Sequence, residues 1–307
     1  MEADKYVNND SKFKEEYTMS TTLSQTKIAF VGAGSMAEAI IRGLIETKVA
    51  DPQNIYVMNR SDQDRLAFLR SEYGLQATSD PLTKENFLRV ADVVVLCMKP
   101  KDVENAFAEL QPLLNEQQLL VSVIAGLSIA KTEALLQTNM PIVRTMPNTS
   151  STIGLGATGM SFSSKVNATF KQVATQMFEA VGIVTIVEEE KLEILTGVSG
   201  SGPAYVYYFM EAMIKAGIDG GLSAEDAHQL TLQTVLGAAH MVQLTQENPA
   251  ELRRKVTSPN GATQASIEAL DRFQFSEAIS QAVFRSAERA KEMGEQIAAP
   301  SPVAKTS

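Results

Sequence analysis

Between Ile28 and Gly43 the chain passes from four apolar residues into Gly32-Ala-Gly34-Ser-Met-Ala37. It continues into a segment with Ala37, Ile40, Ile41 and Leu44 at helical spacing. That order of strand, tight glycine turn and helix is the context of the dinucleotide-binding fingerprint, and it demands a parallel sheet flanked by helices. Gly32 permits the sharp turn. Gly34 has no side chain to block the approach of a pyrophosphate, and Ala37 is small enough for the helix to lie against the strand. The pyrophosphate would rest on the free N–H groups and positive dipole end of the new helix.

A lone fingerprint of this kind is common, so its surroundings matter. A second strand, Ile55-Tyr-Val-Met-Asn59, follows at the expected distance, and a third, Asp92–Met98, comes after a further helix-like segment. Together they point to a nicotinamide or flavin dinucleotide. Sites that prefer NAD usually place Asp or Glu at the end of strand two, against the ribose 2′-hydroxyl. Here the residues are Asn59-Arg60-Ser61, with no carboxylate and one guanidinium suited to a phosphate. The reading favours NADP over NAD. An ordinary turn with Ser61 as a helix cap is the plainer alternative.

With 307 residues the chain has room for two modest cores. A formal net charge of −9 argues against a nucleic-acid surface, which would be basic. The single cysteine, Cys97, falls in a predicted buried strand and has no internal disulfide partner. It fits a reducing, cytoplasmic setting. No apolar run is long enough to span a bilayer. Residues 1–25 are polar and charged and read as a disordered extension, with a second disordered tail over 298–307.

From Lys27 to about Val187 strand-like and helix-like segments alternate, the pattern of a largely parallel α/β sheet. Further strands are predicted at Leu119–Ala125, Pro141–Met146, Ala157–Phe162 and Ile183–Val187. Beyond Glu188 the strand signals vanish. Val206, Phe209, Met210, Met213 and Ile214 fall at helical spacing. Ser223-x-x-Asp226 then opens a helix carrying Leu232, Val235, Leu236, Ala239 and Val242 on one face. These Ala- and Met-rich stripes suit helix packing and a subunit interface. The expected fold is an N-terminal Rossmann-type dinucleotide-binding domain over 26–187, followed by an all-helical dimerisation domain over 188–297.

Several short segments lie where ligands bind in open α/β folds. Cys97-Met-Lys-Pro100 ends one strand at the carboxyl edge of the sheet, either as a site or as a terminator with a solvated Lys99. Ala125-Gly126 ends the next and would let the backbone approach a nicotinamide ring. Arg144-Thr-Met-Pro-Asn-Thr149 ends the one after, where Asn148 either bonds a carboxamide or substrate or merely bridges a turn. In the helical part, Thr196–Pro203 is rich in glycine. Thr257-Ser-Pro-Asn-Gly-Ala-Thr263 precedes a helix, and the N–H groups of Gly261, Ala262 and Thr263 would form an anion-binding end.

The segments GAGSMA, CMKP, AG, RTMPNT and, above all, TGVSGSGPAY and VTSPNGAT make the chain resemble pyrroline-5-carboxylate reductase from about residue 27 to 295. The resemblance implies NADPH held by Gly32, Gly34, Ser35, Met36 and Ala37, by Asn59, Arg60 and Ser61, by Met98, Lys99 and Pro100, and by Ala125. It implies a substrate site of Asn148, Gly261, Ala262 and Thr263. There the loop backbone holds the carboxylate of 1-pyrroline-5-carboxylate, or of the product proline, and Thr263 bonds the ring nitrogen as the catalytic residue. It implies an obligate homodimer, often assembled further into a decamer, and no metal. Two departures stand out. Asn260 replaces the family's usual glycine. The connection Asp80–Arg89 looks lengthened and blurs which residue, Asp80 among the candidates, meets the adenosine part.

Two other functions compete. A β-hydroxyacid dehydrogenase of similar layout needs a helical-domain lysine in a glycine-containing motif, and Lys191 and Lys215 lack that context. A reductase-like regulator would bind nucleotide without turnover, and would have no evident use for VTSPNGAT. His228 and His240, both on the helix opened at Ser223, read as surface or interface residues.

Overall fold

The computed structural model describes residues 21–297. The predicted tail over 298–307 and most of the predicted N-terminal extension lie outside them. The last part of that extension is folded: Thr21–Ser24 forms a helical turn, and Leu23 is buried in the core. The described residues form two compact units, one of residues 21–192 with 290–297, the other Glu193–Arg289.

The first unit is built on an eight-stranded sheet. Its strands are β1 (Ile28–Val31), β2 (Ile55–Met58), β3 (Gln76–Thr78), β4 (Val93–Leu96), β5 (Leu119–Ser122), β6 (Ile142–Met146), β7 (Gly156–Phe162) and β8 (Gly182–Ile186). Their order is β3-β2-β1-β4-β5-β6-β7-β8. The first six run parallel. β7 pairs antiparallel with β6, and β8 pairs parallel with β7. The chain moves outward from β1 in one direction and then, from β4, in the other. The crevice where that order reverses lies at the carboxyl ends of β1 and β4, the usual ligand position in open α/β sheets.

Side chains along the strands alternate between two buried faces of the sheet. Ile28, Phe30, Val93 and Val95 join one apolar cluster with Ile40, Ile41, Leu44 and Phe178, while Ala29, Val94 and Leu96 join another with Phe107, Leu120 and Ile142. Ile40, Ile41 and Leu44 of the helix Ser35–Glu46 are fully buried. Each side chain of that kind contributes about 1.5–3 kcal/mol.

The predicted strands are present, most with trimmed ends, β7 beginning one residue earlier and β8 shifted by one, and one further strand has no counterpart in the sequence reading. β3 is three residues long, with only Ala77 buried, so no apolar run announces it. The apparently lengthened connection before β4 is a helix, Pro81–Val90. Asp80 is its cap, accepting from the Thr83 N–H at 2.8 Å and the Thr83 hydroxyl at 2.7 Å. Those bonds hold the Asp80 carboxyl below its usual range. A capping role accounts for this residue without the adenosine.

The second unit is helical. A π-helical turn, Thr196–Gly200, leads into the helix Gly202–Asp219. Pro203 lies in its first turn, where no N–H is needed. The helices Ala224–Thr245, Pro249–Lys255 and Ala262–Arg272 follow. Within this unit the Tyr205 hydroxyl donates to the Ala282 carbonyl at 3.3 Å, and Ser201 and Ser286 share a 2.7 Å hydrogen bond. Many apolar side chains on these helices face outward, among them Tyr208, Leu230, Leu244, Phe273 and Phe284.

The last helix, Phe275–Gln296, begins in the second unit, and its final turns belong to the first. There Ala290 and Ile297 are buried, Ile297 in the cluster with Ile124 and Leu127. Lys131 Nζ donates to the Gly294 carbonyl at 2.8 Å and to the Glu295 carbonyl at 3.3 Å. A cation is thereby set on the negative end of the helix. Gly294 and Gly126 meet backbone to backbone. A Cβ on either would collide with main-chain atoms of the other.

Candidate active site

The fingerprint turn is built as its sequence requires. Gly32 has φ +115°, and a Cβ there would stand 2.5 Å from the Cys97 carbonyl oxygen. Residues with side chains rarely adopt that conformation. Gly34 caps the helix Ser35–Glu46 without any side-chain hydrogen bond, so its first N–H groups have no cap acceptor. A Cβ on Gly34 would meet nothing within 4 Å, so this side of the turn is open. Ser35 is exposed, Met36 half-buried and Ala37 fully buried against the strand.

Three residues brace this turn from a distance. Arg65 Nε donates to the Ala33 carbonyl at 2.8 Å, Arg65 pairs with Glu38 at 2.5 Å, and the Tyr73 hydroxyl donates to Glu38 at 2.9 Å. Burial works to raise the Glu38 carboxyl, but the hydrogen bonds from Arg65 and Tyr73 outweigh it and hold the group below its usual range. Burial and the same Glu38 push the Tyr73 hydroxyl up to about 12. The sequence reading does not include these three: Arg65 and Tyr73 lie on the helix Gln63–Tyr73, which carries no motif, and Glu38 reads as an ordinary polar position of the fingerprint helix.

At the end of β2, Asn59 Nδ2 donates to the Asp62 carbonyl at 2.9 Å, and Asn59 Oδ1 is buried with no partner. Asp62, not Ser61, caps the helix Gln63–Tyr73 by accepting from the Arg65 N–H. Ser61 is therefore left exposed. Arg60 is 69% exposed and lies 3.3 Å from the Asp102 carboxylate. After β4, Met98 and Pro100 are half-buried and Lys99 exposed, and Pro100–Asp102 forms a short 3-10 turn. Cys97, just past the end of β4, is partly covered. Burial pushes its thiol upward, away from a reactive thiolate.

Ala125 and Gly126 follow β5, with Gly126 at φ +76°. Next to them, Ile129 N–H donates at 2.8 Å to Glu189, whose same oxygen also takes the buried Arg144 guanidinium at 3.0 Å. That ion pair ties the end of β6 to the start of the helix Ile129–Leu136. Asn148 is 8% exposed, and its Oδ1 accepts from the Ala157 N–H at 3.2 Å. That bond joins two chain segments.

The second unit carries the other set. Gly261 caps the helix Ala262–Arg272 with no side-chain bond, while Ala262 and Thr263 are exposed in its first turn. The Gly261 N–H donates to the Ser258 carbonyl at 3.0 Å, so that amide is engaged inside the turn. The free donors of this helix end are therefore those of Ala262 and Thr263, one position further on than expected. Asn260 has a φ of 59°. Glycine and asparagine tolerate that left-handed conformation best. The Asn260 N–H donates to Gln264 Oε1 at 2.8 Å, which closes the turn.

A parallel core ordered β3-β2-β1-β4-β5-β6, with a glycine turn at its switch point, defines an oxidoreductase of the dinucleotide-binding class. Residues 27–126 match the family model described as NADP oxidoreductase, coenzyme F420-dependent, and residues 189–293 match the one described as pyrroline-5-carboxylate reductase dimerisation. The chain is 41% identical over 284 residues to pyrroline-5-carboxylate reductase 1 of Bacillus subtilis, an alignment covering 92% of this chain and 95% of that protein. Among solved structures, a pyrroline-5-carboxylate reductase from Coxiella burnetii superposes with a TM-score of 0.81 at 38% identity, covering 87% of this chain and 98% of the other. The Plasmodium falciparum enzyme, solved with NADP bound, gives 0.79 at 30% identity, covering 89% and 99%. The chain belongs to the pyrroline-5-carboxylate reductase family.

Proposed function

We propose that this chain reduces 1-pyrroline-5-carboxylate to L-proline, using NADPH in preference to NADH and working as a homodimer through its helical unit. One observation carries the reading above the others. Two anion-receiving helix starts, each capped by glycine without a side-chain bond, stand one in each unit of a single chain. A pure nucleotide binder has a use for the first only.

The residues present fit a dinucleotide. The open side of Gly34 and the uncapped amides of Ser35, Met36 and Ala37 would hold the pyrophosphate. Arg60, with Asn59 and Ser61, would take the 2′-phosphate, and Met98, Lys99, Pro100 and Ala125 would border the rest. When bound, NADPH supplies the hydride that adds to the imine carbon. The chain's own task is placement. The Ala262 and Thr263 amides hold the substrate carboxylate, and the exposed Thr263 hydroxyl accepts a hydrogen bond from the protonated ring nitrogen. Fixing both ends of so small a ring sets which carbon meets the cofactor, an orientation effect. The rival lysines do not behave as buried proton donors: Lys215 is 75% exposed in an ion pair with Asp219, and Lys191 is exposed. Among the described residues no helix is long and apolar enough to cross a membrane. A cysteine held as a covered thiol suits the reducing cytoplasm.

The activity is tested by loss of NADPH absorbance with the purified protein and pyrroline-5-carboxylate, with 3-hydroxy acids as the contrast. Cofactor choice has its own variant. Arg60→Ala raises KM for NADPH about three- to tenfold, the scale of one modest hydrogen bond to a charged group at an exposed site, and leaves KM for NADH nearly unchanged. Equal effects on both cofactors would mean that Arg60 does not read the phosphate.

Assembly is the next expectation. The outward apolar side chains of Gly202–Asp219 and Ala224–Thr245 include Tyr207, Tyr208, Leu230, Leu236 and Met241, a surface that monomers rarely leave in water. Sedimentation at assay concentration gives at least a dimer. A fully active monomer would contradict this.

A further inference from the structure

The pair Arg60–Asp102 joins the turn after β2 to the turn after β4, the two strands that flank β1. Reaching from one to the other, Arg60 extends over the carboxyl end of β1, where the fingerprint turn begins. Asp102 precedes the helix Val103–Leu110 at its cap position but makes no side-chain cap bond there. Its backbone is already helical, continuing from the 3-10 turn Pro100–Asp102, so its side chain is not held in a cap. Here its carboxylate faces a guanidinium from another segment instead, 3.3 Å away.

A phosphate is the other anion that this guanidinium suits, and the two acceptors are not equivalent. A carboxylate next to Arg60 occupies its donors, and it also repels a doubly charged phosphate arriving at the same place. We propose that Asp102 is a specificity-determining residue of the cofactor site: its carboxylate competes with the 2′-phosphate of NADPH for Arg60 and so limits the preference for NADPH over NADH. The inference rests on the reading that Arg60 receives the 2′-phosphate. NADH, which has a hydroxyl in that position, neither needs Arg60 nor meets the repulsion in full. The preference for NADPH is thereby smaller than at a site with an unopposed arginine.

The test is Asp102→Asn in the full-length protein, alone and combined with Arg60→Ala. Asparagine preserves the size of the residue and removes only its charge, and no cap bond is lost because Asp102 makes none. In each variant KM is measured for NADPH and for NADH with pyrroline-5-carboxylate saturating, and Kd by isothermal titration calorimetry with each cofactor, since the chain has no tryptophan to report binding. The expected result for Asp102→Asn alone is a rise in the ratio of KM(NADH) to KM(NADPH) of about two- to fivefold, the range of an exposed ion pair. In the Arg60→Ala background the same substitution changes that ratio far less. A fall in the ratio would show that Asp102 orients Arg60 for the phosphate, and would overturn the proposal. So would an unchanged ratio in Asp102→Asn when Arg60→Ala alone lowers it, or an equal rise in both backgrounds. If Arg60→Ala leaves the ratio where it was, the reading of Arg60 fails first, and the proposal falls with its premise.

Discussion

Thr263→Ala lowers kcat/KM for pyrroline-5-carboxylate about ten- to hundredfold and leaves the affinity for NADPH nearly unchanged. The size is that of one hydrogen bond to a charged group, roughly 1.5–3 kcal/mol. The selectivity follows from placement, since the fingerprint belongs to the first unit and Thr263 to the second. Ala262→Pro separates the other contact. Ala262 is the first residue of its helix, and Gly261 before it is in an extended conformation. Proline therefore fits at position 262 while deleting a single N–H. Inhibition by proline, which presents the same carboxylate, should weaken in Ala262→Pro and persist in Thr263→Ala. If Ala262→Pro folds, binds NADPH and is inhibited by proline like the wild type, the loop only starts a helix and the substrate carboxylate sits elsewhere.

A second large effect is expected at Gly294→Ala. The new methyl would drive into the Gly126 main chain, and neither backbone is the free end of a flexible side chain. Overpacking of this kind costs about 1–3 kcal/mol, which for a chain of this size corresponds to a fall in Tm of roughly 2–5 °C. The loop it displaces carries Ala125, so kcat should fall with NADPH and with NADH alike, in contrast to the cofactor-selective loss at Arg60. Thermal unfolding and kcat measured on the same preparation check both parts. An unchanged Tm would mean that the helix end yields without cost.

Much of this architecture is legible in the chain, for physical reasons that differ from segment to segment. β1 and β4 are uninterrupted apolar runs because both faces are buried, and such runs announce themselves. β3 does not, since a three-residue edge strand with one buried side chain has no pattern to show. The reversed direction of β7 is also invisible: alternation marks a strand but carries no sign for which way it runs. Within the site, the glycine turn is readable because its conformation excludes other residues. The partners that hold it, Arg65, Glu38 and Tyr73, come together only in three dimensions. Likewise Asp62 takes the cap expected of Ser61, one residue away, and Gly261 closes its own turn, which moves the open amides to Ala262 and Thr263.

The split composition of the first unit has a consequence for how the protein is made. Its core draws on Ala290 and Ile297, yet the ribosome delivers the whole of Glu193–Arg289 between Leu192 and those residues. While that stretch is being synthesised, the apolar surface around Ile124 and Leu127 lacks its last cover, and the loop at Gly126 lacks the helix end that abuts it. Closing so long a loop is slow, and half-covered apolar surface is where nascent chains stick to one another. The nucleotide-binding part of this chain, although first out of the tunnel, is therefore completed last, and its maturation waits on the segment that follows it.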